Sequence, residues 1–315
     1  MRYAICDMRK THNSYRKSHN LPPSHLYTLS RIKKAVLPVA GFGTRFLPFT
    51  KACPKEMLPI VDKPVIQYLV EEAVNSGIEE IILVTGRGKR AIEDHFDHSF
   101  ELQYNLVEKG KQDLLKAVKD IENMAKFIYV RQPYPLGDGD AILRVQNIIN
   151  GEPFLILFGD DIVDSQIPAS KQLIKIYEKT NCPIIALTQI DKSESQNYGI
   201  FNPLKSNGKV HTAKGLVEKP KPKESPSNLA IIGKYIMTPD IFDALKKAPK
   251  SKDGELRLID GMKILLQKQS IYGLELKGTR YDTGDKIGFL KATIDFALKR
   301  PELRTELKEY MKGKF

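Results

Sequence analysis

From residue 34 onward, short runs of apolar residues alternate with segments in which apolar residues recur every three or four positions. The first run, at 35–40, ends in a glycine turn and predicts a buried strand. In the next segment the apolar residues of 66–73 line one face, which predicts a helix over 64–76 with Pro64 at its first position.

The same alternation continues along the chain. Further strands are predicted at 81–85, 127–131, 154–158 and 184–188, and helices from residue 89 and at 141–149 and 169–179. Strands and helices that alternate in this way are typical of α/β proteins. We therefore predict a doubly wound, mostly parallel, Rossmann-like sheet.

After residue 190 the regular alternation gives way to short strands and polar loops. Loops rich in Lys, Pro, Ser and Asn are predicted at 203–209 and 219–228, strands at 198–201, 214–218, 229–236 and 271–276, and helices at 239–247 and 256–268. This pattern predicts an inserted, mixed β region that adds one wall of a cleft.

The last helical stretch, at 285–312, is apolar on more than one side. One face carries Ile287, Leu290, Ile294 and Ala297, whereas Phe289 and Phe296 lie off that face. A helix that is apolar on two sides usually has two neighbours. We therefore predict that 285–315 is a C-terminal helical segment that contacts a second subunit, with packing of both sides inside one chain as the alternative.

The formal net charge of +12 is concentrated near the start of the chain. Residues 1–34 hold eight Lys or Arg and one acid, Asp7, so they carry +7 and the rest of the chain carries +5. We predict that 1–30 is a basic, poorly ordered leader and that 31–284 is the catalytic domain, with no nucleic-acid partner. A basic arm that binds nucleic acid or a membrane is the alternative.

Cysteine usage and hydropathy bear on the compartment. Cys6, Cys53 and Cys182 lie far apart, without the spacing of a zinc site or a disulfide framework. No apolar run approaches the ~20 residues of a membrane helix, and the first thirty residues lack the apolar core of a secretory signal. These features predict a cytoplasmic protein with no membrane partner.

A glycine turn, Ala-Gly-Phe-Gly-Thr-Arg at 40–45, directly follows the first predicted strand. Glycines let backbone amides approach a phosphate closely, and Arg45, Lys51 and Lys55 place three cations in the same loop. The turn lacks the Gly-Lys-Ser/Thr of a Walker A loop and the third glycine of a dinucleotide fingerprint. It indicates a polyphosphate site, with a tight structural turn in a solvated basic loop as the alternative.

Two longer segments carry a resemblance to a known family. Residues 37–48 (LPVAGFGTRFLP) and 54–64 (PKEMLPIVDKP) resemble the signature of the sugar nucleotidyltransferases, in the form found in those that make UDP-glucose. Lys-Glu-Met at 55–57 is the uridylyltransferase form, whereas thymidylyltransferases usually have Lys-Gln there. The resemblance runs from residue 33 to residue 315. Further blocks in the family's order lie at 85–97, 132–137, 159–161, 198–199, 217–220, 226–230 and 280–285.

The resemblance implies a nucleotide-diphospho-sugar transferase fold and a reaction that converts UTP and glucose 1-phosphate into UDP-glucose and pyrophosphate. It also implies Mg²⁺ as cofactor and favours a homodimer or homotetramer. The nucleophile would be a phosphate oxygen that is already ionised, so catalysis would rest on positioning and charge neutralisation rather than on a general base. A glucose-1-phosphate thymidylyltransferase and a non-catalytic nucleotide-sugar-binding paralogue are the alternatives.

The same resemblance assigns the site residues. The catalytic set is Arg45, Lys55, Asp160, Lys219 and Asp282, the nucleotide-binding set is Ala40, Gly41, Gly43, Thr44, Glu56, Gln132 and Gly137, and the sugar-binding set is Asp161, Gly199 and Glu218. Asp160 and Asp282 would hold Mg²⁺, which prefers carboxylate oxygens. For Asp160 and Asp161, capping of the next element is the alternative.

Two segments depart from the family pattern. The family usually has Pro-Leu-Gly-Leu-Gly-His-Ala where this chain has Pro-Leu-Gly-Asp-Gly-Asp-Ala at 135–141, so Asp138 and Asp140 replace Leu and His. The family's Gly-Glu-x-Gln-Leu-Thr-Asp appears as Gly-Glu-Leu-Arg-Leu-Ile-Asp at 254–260. These changes bear on base preference and on the sugar contacts.

Overall fold

The computed structural model describes residues 31–314, so the predicted leader at 1–30 lies outside the described residues. The strands are β1 (Lys34–Pro38), β2 (Pro59–Ile60), β3 (Lys63–Pro64), β4 (Glu80–Thr85), β5 (Lys126–Arg131), β6 (Phe154–Leu157), β7 (Asp161–Asp164), β8 (Ile184–Gln189), β9 (Gly199–Asn207), β10 (Val210–Glu218), β11 (Leu229–Met237), β12 (Tyr272–Glu275) and β13 (Thr279–Asp282). The helices are α1 (Val65–Val74), α2 (Arg90–Phe96), α3 (Phe100–Glu108), α4 (Gln112–Glu122), α5 (Asp138–Leu143), α6 (Gln146–Ile149), α7 (Ala169–Thr180), α8 (Asp240–Lys247), α9 (Leu258–Leu266), α10 (Lys286–Lys299) and α11 (Pro301–Lys312).

Within residues 31–314, nine strands form one sheet in the order β5-β4-β1-β6-β11-β8-β12-β10-β9. The strands β5, β4, β1 and β6 are parallel neighbours, as are β8 and β12. Only β10 and β11 of this sheet run in the opposite direction. The structure therefore confirms the predicted α/β fold with a mostly parallel sheet, and the mixed β region is part of that sheet.

The sheet has an apolar core on each face because successive side chains of a strand point to opposite sides. Val36, Ile82 and Ile156 belong to one core, which α5, α6, α8 and α9 cover. Their neighbours Leu37 and Leu83 belong to the other, which α1, α2, α7 and α10 cover. Strands buried on both faces read as continuous apolar runs, which is why β1, β4 and β6 are predictable from sequence.

A buried ion pair fixes α1 and α7 against the middle of the sheet. Lys234 of β11 is fully buried, and its Nζ lies 2.8 Å from Oε2 of Glu72 in α1. The other oxygen of Glu72 accepts hydrogen bonds from the backbone N–H and the hydroxyl of Ser170 at the start of α7. Because removal of one partner would leave an unpaired buried charge, this contact keeps the three elements together.

The predicted loop at 203–209 is wrong. In the structure β9 continues to Asn207, and β9 and β10 form a long hairpin around Gly208, which has a φ of +58°. The hairpin lies at the edge of the sheet, where side chains from residue 204 to residue 209 are exposed. Polar residues suit such an edge, so their abundance concealed the strand.

Several helix boundaries also differ from the sequence prediction. The helix predicted at 141–149 is two short helices, α5 and α6, and the sequence prediction does not include α3 or α4. Pro64 precedes the first residue of α1 rather than occupying it. The stretch at 285–312 is two helices: Asp285 caps the first, and Pro301 begins the second. No helix in the described part of the chain is long and apolar enough to cross a membrane.

The two apolar sides of α10 have different surroundings. Phe289 and Phe296 pack against the core that contains α1, and Phe296 makes edge-to-face contact with Tyr68. Ala297 of the predicted stripe is buried, but its other three residues face outward, with 60% of Ile287 and 53% of Leu290 exposed. The Ile287–Leu290–Ile294 face is therefore uncovered in the single chain.

Candidate active site

The carboxyl ends of β1, β5 and β6 open into a cavity of about 590 Å³, at the edge where open α/β sheets bind ligands. The predicted site residues that line it are Ala40, Gly41, Arg45, Lys55, Glu56, Gln132, Gly137, Asp160, Asp161, Gly199, Glu218, Lys219 and Asp282. Gly43 and Thr44 do not line it. Segments that are far apart in sequence thus meet at one site.

Gly43 shapes the glycine loop from behind the cavity wall. It has a φ of +66°, and a Cβ added there would lie 2.9 Å from Cβ of Lys55. Its carbonyl oxygen accepts a hydrogen bond from Thr50 Oγ1 at 2.9 Å. Only glycine fits this position, because it allows the left-handed backbone and the close packing against Lys55. Gly41, by contrast, borders open space.

Lys55 and Asp160 form an ion pair in the cavity wall, with Nζ 2.6 Å from Oδ2. Burial alone would raise the pKa of Asp160, but the Lys55 ammonium, helped by Arg45 and Arg280, outweighs it and holds that pKa below its ordinary value. Burial opposes the charge of Lys55, and Asp160 and Glu56 nevertheless raise the pKa of the lysine. Both groups of the pair are therefore charged at neutral pH.

Glu56 is a buried carboxylate, and only one of its two oxygens accepts a hydrogen bond within the described residues. Lys89 Nζ donates to its Oε2 at 2.8 Å, while Oε1 has no hydrogen-bond partner among the described residues. Burial raises the pKa of Glu56, although Lys89 and Lys55 both lower it. Sequence reasoning missed Lys89; its position after the glycine turn that follows β4 was the available signal. Oε1 is therefore a buried acceptor in the cavity wall that no hydrogen bond within the described residues satisfies.

Asp161 orients a second unpredicted cation, Arg280. The guanidinium Nε of Arg280 donates to Asp161 Oδ1, and the N–H of Gly233 donates to Oδ2 at 2.8 Å. Arg280 also lies 5.2 Å from the ring centre of Tyr198 and 3.5 Å from Oδ2 of Asp282. Both oxygens of Asp161, predicted to contact sugar, therefore already accept hydrogen bonds from the protein.

Asp160 and Asp282 flank one point beside Gly284. A Cβ added to Gly284 would lie 2.6 Å from Asp160 Oδ2 and 3.1 Å from Asp282 Oδ1. Burial raises the pKa of Asp282, and the charges of Asp161 and Asp160 raise it further against the effect of Arg280. Two converging carboxylates that repel each other fit a hard divalent cation.

This pair offers few ligands by itself. Across residues 31–314 there is no group of three or more His, Cys, Asp or Glu side chains placed to hold a metal ion. Mg²⁺ is typically held by one or two carboxylates and completes its shell with phosphate oxygens and water. The arrangement of Asp160 and Asp282 fits that mode of binding.

Asp140 fixes the orientation of Gln132 at the nucleotide end of the cavity. Gln132 Nε2 donates to Asp140 Oδ2 at 2.8 Å and to the carbonyl oxygen of Gly137 at 3.0 Å. Arg144 holds the same carboxylate at 3.0 Å. An ionised carboxylate only accepts hydrogen bonds, so the Gln132 amide nitrogen faces it and the amide oxygen is left for a ligand.

Glu218 is the last residue of β10, and Lys219 follows it; both line another wall of the cavity. Arg257 Nη1 lies 3.4 Å from Glu218 Oε1, and Glu218 Oε2 lies 3.4 Å from where a Cβ on Gly199 would be. Lys219 has a φ of +45°, which is uncommon for lysine, and its side chain is half exposed. Its ammonium is thus accessible to an anion that enters the cavity.

Asp138 lies between these two ends. Its Oδ1 accepts a hydrogen bond from the backbone N–H of Leu258 at 2.9 Å. Burial raises the pKa of Asp138 to about 6, and the nearby charge of Glu218 contributes, while hydrogen bonds from Leu258 and Gly139 and the charge of Arg257 act against it. Asp138 is therefore ionised at neutral pH at a cost in stability.

Comparisons with known proteins show which proteins this chain is similar to. The nucleotidyl transferase family model matches residues 34–298. The chain is 50% identical over 285 residues to the UTP–glucose-1-phosphate uridylyltransferase of Bacillus subtilis (strain 168), covering 90% of this chain and 98% of that protein. It also resembles a UDP-glucose pyrophosphorylase solved with UDP-glucose, at 41% identity and a TM-score of 0.79, over 86% of this chain and 100% of that one. A UTP-bound enzyme of the same type from Acinetobacter baumannii matches at 37% identity and a TM-score of 0.83, over 89% and 99% of the two chains.

We predict that Asp138→Asn stabilises the protein at neutral pH. Because the pKa of Asp138 is about 6 in the folded protein and 3.8 ordinarily, its ionisation opposes folding above pH 6, and this cost fades as the pH falls toward 4. At ~1.4 kcal/mol per pKa unit, the substitution should add on the order of 2–3 kcal/mol to the free energy of unfolding at pH 7.5 and about half as much at pH 5.

Urea unfolding at the two pH values measures this effect. Asp243→Asn, which changes an exposed carboxylate on α8, is the control and should alter stability by less than ~0.5 kcal/mol. A gain for Asp138→Asn that is equal at both pH values, or a loss at pH 7.5, would contradict the raised pKa.

Proposed function

The chain belongs to the nucleotidyl transferase family, and on this premise we propose that it transfers the uridylyl group of UTP to glucose 1-phosphate, forming UDP-glucose and pyrophosphate. The observation that carries the proposal is the cavity itself, which brings the predicted phosphate-binding, base-binding and sugar-binding residues together. The relatives at 50% identity bear uridylyltransferase names, which favours this reaction over thymidylyl transfer.

In this reaction a phosphate oxygen of glucose 1-phosphate attacks the α-phosphorus of UTP. The new P–O bond forms as the bond to the β-phosphate oxygen breaks, and the electron pair leaves with pyrophosphate. The attacking oxygen is already ionised, so the protein must position two anions and offset their repulsion. Arg45 and Lys55 supply positive charge for the triphosphate, and Lys219 supplies it for the sugar phosphate.

Nucleotide and sugar would be held at different ends. The backbone around Gly41 and the amide oxygen of Gln132 would accept hydrogen bonds from the uridine and position it, with Glu56 in the wall beside them. At the other end Glu218 accepts hydrogen bonds from glucose hydroxyls, and Gly199 leaves room for the ring. Asp161 acts on the sugar end through Arg280, because both of its oxygens are already engaged.

Asp160 and Asp282 would hold Mg²⁺, which supplies charge neutralisation to the phosphates when bound. In the ligand-free protein, the Lys55 ammonium forms an ion pair with Oδ2 of Asp160. An incoming triphosphate competes with Asp160 for this ammonium, so Lys55 moves its hydrogen bond from the carboxylate to phosphate. This exchange leaves Asp160 Oδ2 available as a ligand without exposing an unpaired buried charge.

A substrate-crossing assay tests the proposed function. Pyrophosphate release is measured with UTP, dTTP, CTP or ATP against glucose or galactose 1-phosphate. We expect UTP with glucose 1-phosphate to exceed dTTP by at least ~10-fold in kcat/KM, since the uridine contacts set the preference. A tenfold preference for dTTP would identify a thymidylyltransferase, and no release with any pair would favour a non-catalytic paralogue.

We predict that Asp160→Ala and Asp282→Ala each lower kcat by about 100-fold or more, because a methyl group cannot ligate a cation that contributes several kcal/mol to the transition state. Circular dichroism should show both variants folded. Asp164→Ala is the matched control. Asp164 lies on β7, the strand that begins at Asp161, but it does not line the cavity and forms an ion pair with Lys299. Near-normal turnover in either site variant would remove that residue from the cation site.

We further propose that the protein is a homodimer or homotetramer that uses α10. The support is the uncovered Ile287–Leu290–Ile294 face, which lies on the side of the helix away from Phe289 and Phe296. Closed symmetric assemblies commonly cover such faces. Light scattering at micromolar concentration should give a multiple of the 35.7 kDa chain mass, and a mass of one chain would contradict the proposal.

A further inference from the structure

Two segments that are more than a hundred residues apart are hydrogen-bonded along one wall of the cavity. The backbone N–H of Leu256 donates to the carbonyl oxygen of Leu136 at 2.8 Å, and the N–H of Gly139 donates to the carbonyl oxygen of Leu256 at 2.9 Å. A Cβ on Gly137 would collide with that same Leu256 oxygen. We call residues 255–258 the strap; its backbone is hydrogen-bonded to residues 136–139, the segment that contains the predicted nucleotide-binding Gly137.

Asp138 makes the third contact between the loop and the strap. Its Oδ1 accepts the N–H of Leu258, the first residue of α9. The first backbone N–H groups of a helix have no hydrogen-bond acceptor within the helix. Arg257 occupies the N-cap position of α9, but its side chain accepts no hydrogen bond from these N–H groups. Asp138 therefore performs the N-cap function for α9 from a distant segment.

Arg257 connects the strap to Glu218 at the sugar end of the cavity. Asp253 binds its Nη2, and its Nη1 donates to Glu218 Oε1 at 3.4 Å. The other oxygen of Glu218 is turned toward Gly199, and both residues line the cavity. The orientation of Glu218 thus depends on where the strap places Arg257.

We propose that Asp138 is a positioning residue for the sugar subsite: by capping α9 it fixes the strap, and the strap places Arg257 so that Glu218 faces the hydroxyls of glucose 1-phosphate. The inference rests on the proposed function, because it assigns Glu218 to the sugar. Small displacements of a positioning group weaken binding strongly, so loss of the cap should be felt across the cavity.

Asp140 provides a matched comparison within the same helical turn. It lies two residues from Asp138, and its carboxylate contacts Gln132 and Arg144 rather than the strap. If position along the chain decided the effect, both acids would act on the nucleotide. The contacts instead assign Asp138 to the sugar end and Asp140 to the nucleotide end.

The test measures KM for both substrates, and kcat, in the full-length protein with Asp138→Ala, Asp138→Asn and Asp140→Ala. We expect Asp138→Ala to raise the KM for glucose 1-phosphate by about 5–10-fold, because loss of the α9 cap displaces the strap and with it Arg257 and Glu218. The KM for UTP should rise by less than about twofold. Asparagine is also a good N-cap, so Asp138→Asn should restore the glucose 1-phosphate KM to within about twofold of wild type. Asp140→Ala should raise mainly the KM for UTP.

A double variant shows whether Asp138 acts through Arg257. Asp138→Ala combined with Arg257→Gln should be no worse in glucose 1-phosphate KM than the more impaired single variant, because both break the same chain of contacts. Multiplicative effects would overturn the inference, as would an equal rise in both KM values for Asp138→Ala or failure of the asparagine variant to restore binding. A wild-type protein without uridylyl transfer would instead overturn the proposed function.

If Asp138→Ala is too unstable to assay, the asparagine variant and Arg257→Gln still test the inference. Asp138→Asn must then keep the glucose 1-phosphate KM near wild type, and Arg257→Gln must raise that KM without an equal rise for UTP. Any other pattern overturns the assignment of Asp138 and Arg257 to the sugar subsite.

Discussion

The site depends on one constraint: a cavity that must attract phosphates needs cations, and cations in a cavity wall need partners when no ligand is there. Three cations in or behind the cavity wall are each held by a separate carboxylate. Lys55 pairs with Asp160, Lys89 with Glu56, and Arg280 with Asp161. The pairs keep the cations in position before substrate arrives, and we propose that binding exchanges one partner for another instead of moving charge into place.

The fold serves this constraint by bringing distant carboxylates to one edge of the sheet. The antiparallel pairing of β7 with β13 sets Asp161 opposite Asp282, and β11 supplies the Gly233 N–H that holds Asp161. The next residue of β11, the fully buried Lys234, anchors α1 through its ion pair with Glu72. The antiparallel strand in the middle of the sheet therefore supports both the core and the site.

Sequence predicted the elements whose signal is local. The apolar runs of β1, β4 and β6 and the glycine loop needed no knowledge of the rest of the chain. The polar outer half of the β9–β10 hairpin gave the signal of a loop, because edge strands tolerate polar residues. The glycine turn after β4 marks the position of Lys89, but the pairing of Lys89 with Glu56 and of Arg280 with Asp161 joins distant elements and cannot be predicted from the sequence. Likewise Asp138 is visible as a departure from the family pattern, but only the structure shows its contact with Leu258.

We propose that Lys55 and a cation use Asp160 in turn, and a crystal structure with UTP and with Mn²⁺ as an anomalous scatterer in place of Mg²⁺ tests this exchange. We expect an anomalous peak between the carboxylates of Asp160 and Asp282, with Lys55 Nζ hydrogen-bonded to the triphosphate and no longer to Asp160. A bound triphosphate with Lys55 still on Asp160, and no peak between the two carboxylates, would contradict it.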